Sequence, residues 1–135
     1  MERPASVVKE LLENSLDADS TRILIEIEKG GRSLIRISDN GIGMNRDDAM
    51  LAIERYATSK IFKDADLFSI RTLGFRGEAL PSIASVSRFT LTTREKTSDT
   101  ATEVTMEGGK LKKVPETGAP PGTMISVKQL FFNRF

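Results

Sequence analysis

Two hydrophobic periods meet early in this chain, and the switch between them limits what it can fold into. Val7, Val8, Leu11, Leu12 and Leu16 recur at helical spacing, with Glu10, Glu13, Asn14 and Asp17 on the polar side. Pro4 suits the first turn of that helix, where its missing N–H would have no helical partner anyway. The helix is predicted to end near Asp19-Ser20. From Thr21 to Lys29 the period drops to two: Ile23, Ile25 and Ile27 share one face, with Arg22, Glu26 and Glu28 opposite. That alternation predicts a strand. Gly30-Gly31 then reads as a two-residue hairpin turn, with a return strand over Ser33 to Ser38.

Downstream, Asp39 to Met44 is a loop with two glycines. Asn45 can cap a helix over Arg46 to Tyr56, with Asp47 and Asp48 in its positive first turn. Ala57 to Gly77 is polar, glycine-containing and weakly periodic, and segments of that length are usually functional or disordered. A short helix is predicted from Glu78 to Ser85. Strands follow at Arg88–Arg94, Glu103–Glu107, Lys110–Val114 and Met124–Leu130. The order is helix, hairpin, helix, loop, helix, then a run of strands. It predicts an α+β fold with helices on one face of a mixed, largely antiparallel sheet. At 135 residues the chain is expected to form one domain over 1–135.

Two zeros narrow the chemistry. The chain has no Cys and no His, which excludes thiol catalysis, disulfides, Cys/His zinc sites and any triad with a histidine base. Acid–base work falls to Asp, Glu, Lys or Tyr, and any metal to oxygen ligands, as Mg, Ca or Mn accept. The net charge of +1 gives no broad electrostatic argument for DNA or membrane binding. Apolar runs such as Ile23-Leu24-Ile25 fall far short of the roughly 20 residues of a membrane span. The N-terminus has no apolar stretch like a signal peptide. A soluble cytoplasmic protein is therefore expected.

Four groups of residues could carry chemistry. Glu10 and Asn14 lie one helical turn apart on the same face. A carboxylate there could deprotonate a water, and a neutral amide oxygen could hold a Mg²⁺ whose charge phosphates balance; a solvated polar face is the plain alternative. Asp39-Asn40-Gly41-Ile42-Gly43 follows a strand. Its carboxylate could accept from an exocyclic amine such as adenine's, and glycines let backbone approach a flat base; alone, these are also common turn residues with an Asx-type bond. Gly74-Phe75-Arg76-Gly77 opens a helix, where free N–H groups can cradle phosphate, and upstream Thr58-Ser59-Lys60 adds hydroxyls and an ammonium. The alternative is a surface loop. Gly122-Thr123 begins a late strand after a turn. No P-loop is present, so an ATP site here would not be of the Walker type.

In this order, the four groups match the motif set of the GHKL ATPases, the superfamily that joins gyrase B, histidine kinases and MutL on the Bergerat fold. The wording narrows the match. Arg3-Pro4-Ala5-Ser6-Val7-Val8-Lys9-Glu10-Leu11, Glu13-Asn14-Ser15-Leu16-Asp17-Ala18, Ala57-Thr58-Ser59-Lys60-Ile61, Gly74-Phe75-Arg76-Gly77-Glu78-Ala79-Leu80 and Leu130-Phe131-Phe132-Asn133 resemble the MutL family of DNA mismatch repair proteins. The resemblance runs through essentially the whole chain. It implies a Bergerat-type two-layer sandwich and a Mg-dependent ATPase. Glu10 would be the general base and Asn14 the Mg²⁺ ligand. Asp39 would bind the adenine amine with support from Thr123, and Gly41 and Gly43 would make room for the nucleotide. Thr58, Ser59 and Lys60 would lie in an ATP lid, and Gly74, Phe75, Arg76 and Gly77 would wrap the phosphates.

The resemblance also implies context. In the family, ATP drives dimerisation, and the dimer couples a MutS-type mismatch-recognition protein to a repair nuclease and helicase on DNA. A bacterial, cytoplasmic, nucleoid-associated setting is implied, with no membrane. Tyr56 stands where the family usually has His. Against the family pattern the chain reads as a domain truncated at both ends, without the upstream segment and without the second domain that brings a lysine to the γ-phosphate. On that reading the fragment should be monomeric and weakly active or inactive. The alternatives are another GHKL ATPase, a topoisomerase subunit or a chaperone, and a nucleotide-binding switch without hydrolysis.

Overall fold

A computed structural model describes residues 4–53 and 79–132. Its elements are α1 (Pro4–Asp17), β1 (Ile23–Glu28), β2 (Leu34–Asp39), α2 (Arg46–Ile53), α3 (Ala79–Ser85), β3 (Arg88–Arg94), β4 (Ala101–Glu107), β5 (Lys110–Lys113), β6 (Glu116–Thr117) and β7 (Gly122–Lys128). The strands form one sheet in the order β1-β2-β7-β3-β4-β5, with β6 pairing β4. Every pairing described is antiparallel, in keeping with the largely antiparallel sheet expected.

Register explains the core. Ile35, Val127, Phe89 and Met106 stand in one row across β2, β7, β3 and β4, and Ile37, Ile125, Leu91 and Val104 form the next. All eight are buried. Because side chains alternate across a strand, a row two residues along faces the same side. Val7 and Leu11 of α1, Ala49, Ala52 and Ile53 of α2, and Leu80, Ile83 and Ala84 of α3 pack with these rows in one cluster. The layers are thus helix on sheet, as the patterning predicted.

Several boundaries move. The helix α1 stops at Asp17 rather than Asp19, and Asp19 turns to a φ of +59°. The expected two-residue hairpin turn is corrected. Glu28 pairs with Leu34, so the connection runs over residues 29–33 and contains a 3-10 turn at Lys29–Gly31. Lys29, Gly30 and Gly31 all have positive φ, so the glycines sit inside a longer turn rather than constituting it. The strand β7 begins at Gly122, two residues before the expected Met124, and ends at Lys128 before a positive-φ Gln129. The short β6 was not foreseen; its two residues carry no readable period. Asn45 does cap α2, its Oδ1 accepting the Asp48 N–H at 2.8 Å. The expected helical turn to Tyr56 and the segment Ala57–Gly77 lie outside the described residues.

Among the described residues Phe89 is the largest fully buried side chain, and it sits mid-row. Phe89→Ala should destabilise the fold by about 3–5 kcal/mol, seen as a lower denaturant midpoint with the slope unchanged.

Candidate functional site

A third row continues the two apolar ones, and it is polar. Asp39 of β2 stands opposite Thr123 of β7, which stands opposite Thr93 of β3, which pairs with Thr102 of β4. The register that buries isoleucine and valine in mid-sheet therefore delivers a carboxylate and three hydroxyls to one end. Above that end lies a cleft of about 330 Å³, within the range of small-molecule sites. Its walls come from α1 (Asn14, Ser15, Asp17), the Asp39–Met44 segment, α2 (Asp48, Ala52), Leu80, Glu95, and Thr123 and Ile125 of β7.

The Asp39 carboxylate is held by three donors. Its Oδ1 accepts the N–H of Gly41 at 2.9 Å and the N–H of Thr123 at 3.2 Å. Its Oδ2 accepts the hydroxyl of Ser15 at 2.7 Å. The Gly41 contact is the ordinary Asx turn that such residues make. The other two donors come from a distant strand and a helix, which a simple turn does not require. Asn40 anchors the loop from behind, its Oδ1 accepting the N–H groups of Thr21 and Arg22, each at 2.9 Å. Thr93, which is buried, accepts the Met44 N–H at 2.9 Å and shares a 2.8 Å hydrogen bond with the Thr123 hydroxyl.

The glycines answer to the protein's own packing. Gly43 has a φ of +69°, and a side chain there would run into the Arg94 carbonyl. Gly122 has a φ of +120°, and a side chain would strike the Asp39 carbonyl. Gly41 is closed in by the Ala18 carbonyl, 2.6 Å from where a Cβ would stand. At Gly43 and Gly122 the space is filled by backbone, which lets the loop approach the end of β3 and the start of β7.

Of the residues singled out from sequence, Asn14, Asp39, Gly43 and Thr123 line the cleft. Gly41 holds Asp39 through its N–H and is not part of the cleft wall among the described residues. Glu10 is half-buried one turn from Asn14 and is not part of the cleft wall among the described residues. Thr58, Ser59, Lys60, Gly74, Phe75, Arg76 and Gly77 fall outside the described residues. Ser15 and Thr93 were not singled out; a serine in a helix and a threonine in a strand carry no signal until the register is known. Asn14 Nδ2 is buried without a hydrogen-bond partner among the described residues. An unmet donor of this kind is costly unless something in the cleft satisfies it, so the Asn14 amide fits a ligand that presents a hydrogen-bond acceptor, such as a phosphate oxygen, to its Nδ2.

The model of the histidine kinase-, DNA gyrase B- and HSP90-like ATPase family matches residues 1–128. The chain belongs to that family. Within it, the chain is 65% identical over 133 residues to the DNA mismatch repair protein MutL of Geotalea daltonii and 64% identical to that of Geobacter sulfurreducens. Each match covers 98% of this chain and 22% of the relative, so the chain spans about a fifth of their length. The Aquifex aeolicus MutL ATPase domain complexed with ADP superposes with a TM-score of 0.75 at 36% identity, covering 99% of this chain and 45% of that one. The resemblance to MutL and the Bergerat-type sandwich are thus borne out. Among the described residues, no helix is long and apolar enough to cross a membrane.

Two outcomes follow from this geometry. Gly43→Ala should destabilise the protein by at least about 1–3 kcal/mol, and a thermal melt without nucleotide should show the loss. Asp48, on the cleft wall, has its pKa raised above the ordinary 3.8, chiefly by burial and secondarily by Asp47. Between 3.8 and that raised value the folded chain binds more protons here than the unfolded chain, so this group lowers stability as pH rises through the window. Relative to the parent, Asp48→Asn should gain in melting temperature as pH rises through that window, with the gain vanishing below it.

Proposed function

We propose that the cleft binds ATP and that this chain is the nucleotide-binding part of a MutL-type, Mg-dependent mismatch-repair ATPase. The observation that carries the reading is the Asp39 carboxylate. Three donors fix it at the cleft wall, and its remaining acceptor capacity suits an exocyclic amine such as adenine's. The ADP found in the Aquifex aeolicus domain supports the same assignment.

In this reading Thr123 backs the adenine contact, and Asn14 sits where α1 meets the phosphates. A Mg²⁺ held through the Asn14 amide oxygen would offset phosphate charge. Glu10, one turn earlier on the same helix, takes the proton of the attacking water. The family resemblance further assigns Thr58, Ser59 and Lys60 to an ATP lid and Gly74, Phe75, Arg76 and Gly77 to the phosphates. In the whole protein, ATP-driven dimerisation would couple a MutS-type protein to nuclease and helicase on DNA, in the bacterial cytoplasm and near the nucleoid. One observation favours a second reading, a switch that binds without hydrolysing: Glu10 does not line the cleft among the described residues.

Calorimetric titration with a non-hydrolysable ATP analogue and Mg²⁺ tests the binding. Saturable one-to-one binding is expected, and Asp39→Asn should weaken it by about 1–3 kcal/mol, since its amide turns a donor toward adenine. Unchanged affinity in a folded Asp39→Asn variant would remove the adenine assignment. Phosphate release separates the two readings: slow turnover abolished by Glu10→Ala supports hydrolysis, and none at all in the parent supports the switch.

A further inference from the structure

Ser15 occupies a place where an apolar residue would be expected. Val7, Leu11 and Ser15 repeat every four residues along α1, and all three are buried, Ser15 with only 3% of its surface exposed. A hydroxyl buried in such a stripe is unfavourable unless it is hydrogen-bonded. Helical serines commonly bond the carbonyl one turn back on their own helix. Here the single proton goes across the layer to Asp39 Oδ2, at 2.7 Å.

The accounting of lone pairs gives that bond a consequence. A carboxylate offers about four acceptor positions. Gly41 and Thr123 occupy both on Oδ1, and Ser15 occupies one on Oδ2. A single acceptor position is left, on the atom whose direction Ser15 helps to fix. Ser15 and Asp39 both line the cleft. We infer that Ser15 is a positioning residue for base selection: by filling one side of Oδ2 with a fixed donor, it leaves a single acceptor for a purine bearing an exocyclic amine and none of the donors that a purine with a carbonyl at that position would need.

Removing the hydroxyl changes more than one bond. In Ser15→Ala the vacated position is open to water, which donates as readily as it accepts. A water beside Oδ2 can turn a hydrogen toward a ring carbonyl, which the serine, its proton already committed, cannot. Loss of Ser15 therefore weakens the amine-bearing base and relaxes rejection of the carbonyl-bearing one. A residue that only filled space would affect both alike.

This inference rests on the cleft binding ATP, and the test separates the two. Non-hydrolysable analogues of ATP and of inosine triphosphate, which carries a carbonyl in place of the amine, are titrated with Mg²⁺ against the full chain. The parent should prefer the adenine analogue. Ser15→Ala should bind it about three- to tenfold more weakly, the loss of one hydrogen bond, with the inosine analogue unchanged or tighter. Ser15→Thr, which keeps the hydroxyl, should restore the preference. In an Asp39→Asn background, Ser15→Ala should leave the ratio of the two affinities unchanged, since the pair acts as a unit. Equal losses for both analogues in Ser15→Ala, or a preference intact without the hydroxyl, would overturn the role of Ser15 while leaving ATP binding standing. Failure of the parent to bind either analogue would overturn the nucleotide reading and this inference with it.

Discussion

Side chains on a strand repeat every two residues, and in this sheet four strands keep that count in step. Ile35, Ile37 and Asp39 climb one face of β2, and Val127, Ile125 and Thr123 descend β7 beside them; Phe89, Leu91 and Thr93 follow on β3. Hydrophobic burial fixes this register, because a slip by one residue would turn every buried isoleucine out to solvent. Core packing therefore sets Asp39 opposite Thr123, and the Thr123 N–H then donates to the carboxylate. The core sets the position of the polar row, and the polar row needs only to be satisfied where it lands.

Satisfaction comes from three separate elements. The Asp39 carboxylate collects donors from α1, from its own loop and from β7, so it joins the helix layer to the sheet at the edge of the cleft. Backbone contacts reinforce the junction: the Ile42 N–H donates to the Ala18 carbonyl at 2.9 Å, and the Asn40 N–H to the Arg22 carbonyl at 3.3 Å. Gly43 and Gly122 let chain segments touch where a Cβ would hold them apart. A carboxylate so tethered loses little freedom when a ligand arrives, which favours recognition by one remaining acceptor.

Much of this was legible in the sequence, and the parts that were not share a cause. The helical stripe through Val7 and Leu11, the alternation through Ile23 to Ile27 and the cap at Asn45 are local patterns, and each produced its element. Asn14, Asp39, Gly43 and Thr123 were recognisable from motif spacing, and all four line the cleft. What could not be read depends on pairing register and packing partners rather than on a local pattern. Gly30-Gly31 looks like a complete turn until the Glu28 to Leu34 pairing shows where the strands close. At Gly43 the sequence does not show that a Cβ would strike the Arg94 carbonyl. Ser15 looks like one more helical serine, and Thr93 like one more strand threonine, until strand register brings Asp39 and Thr123 to them.

The helix α1 gives these arrangements a mechanical link. Asn14 and Ser15 are adjacent, and Glu10 stands one turn before them on the same rod. An α-helix rises about 1.5 Å per residue, so the proposed base for water and the hydroxyl that orients Asp39 lie roughly 7–8 Å apart along one rigid element. Packing holds the helix near both ends: Pro4 sits against Gly31, and Ala18, just beyond its last residue, against the Asp39–Met44 loop. A shift of α1 that spoiled the Ser15 contact would move Glu10 and Asn14 with it. If the cleft binds ATP as proposed, reading the base and placing the phosphates would not be separate tasks: a purine seated against Asp39 would set the distance from the ring to the α1 side chains, and one seated badly would put its phosphates out of line with Glu10.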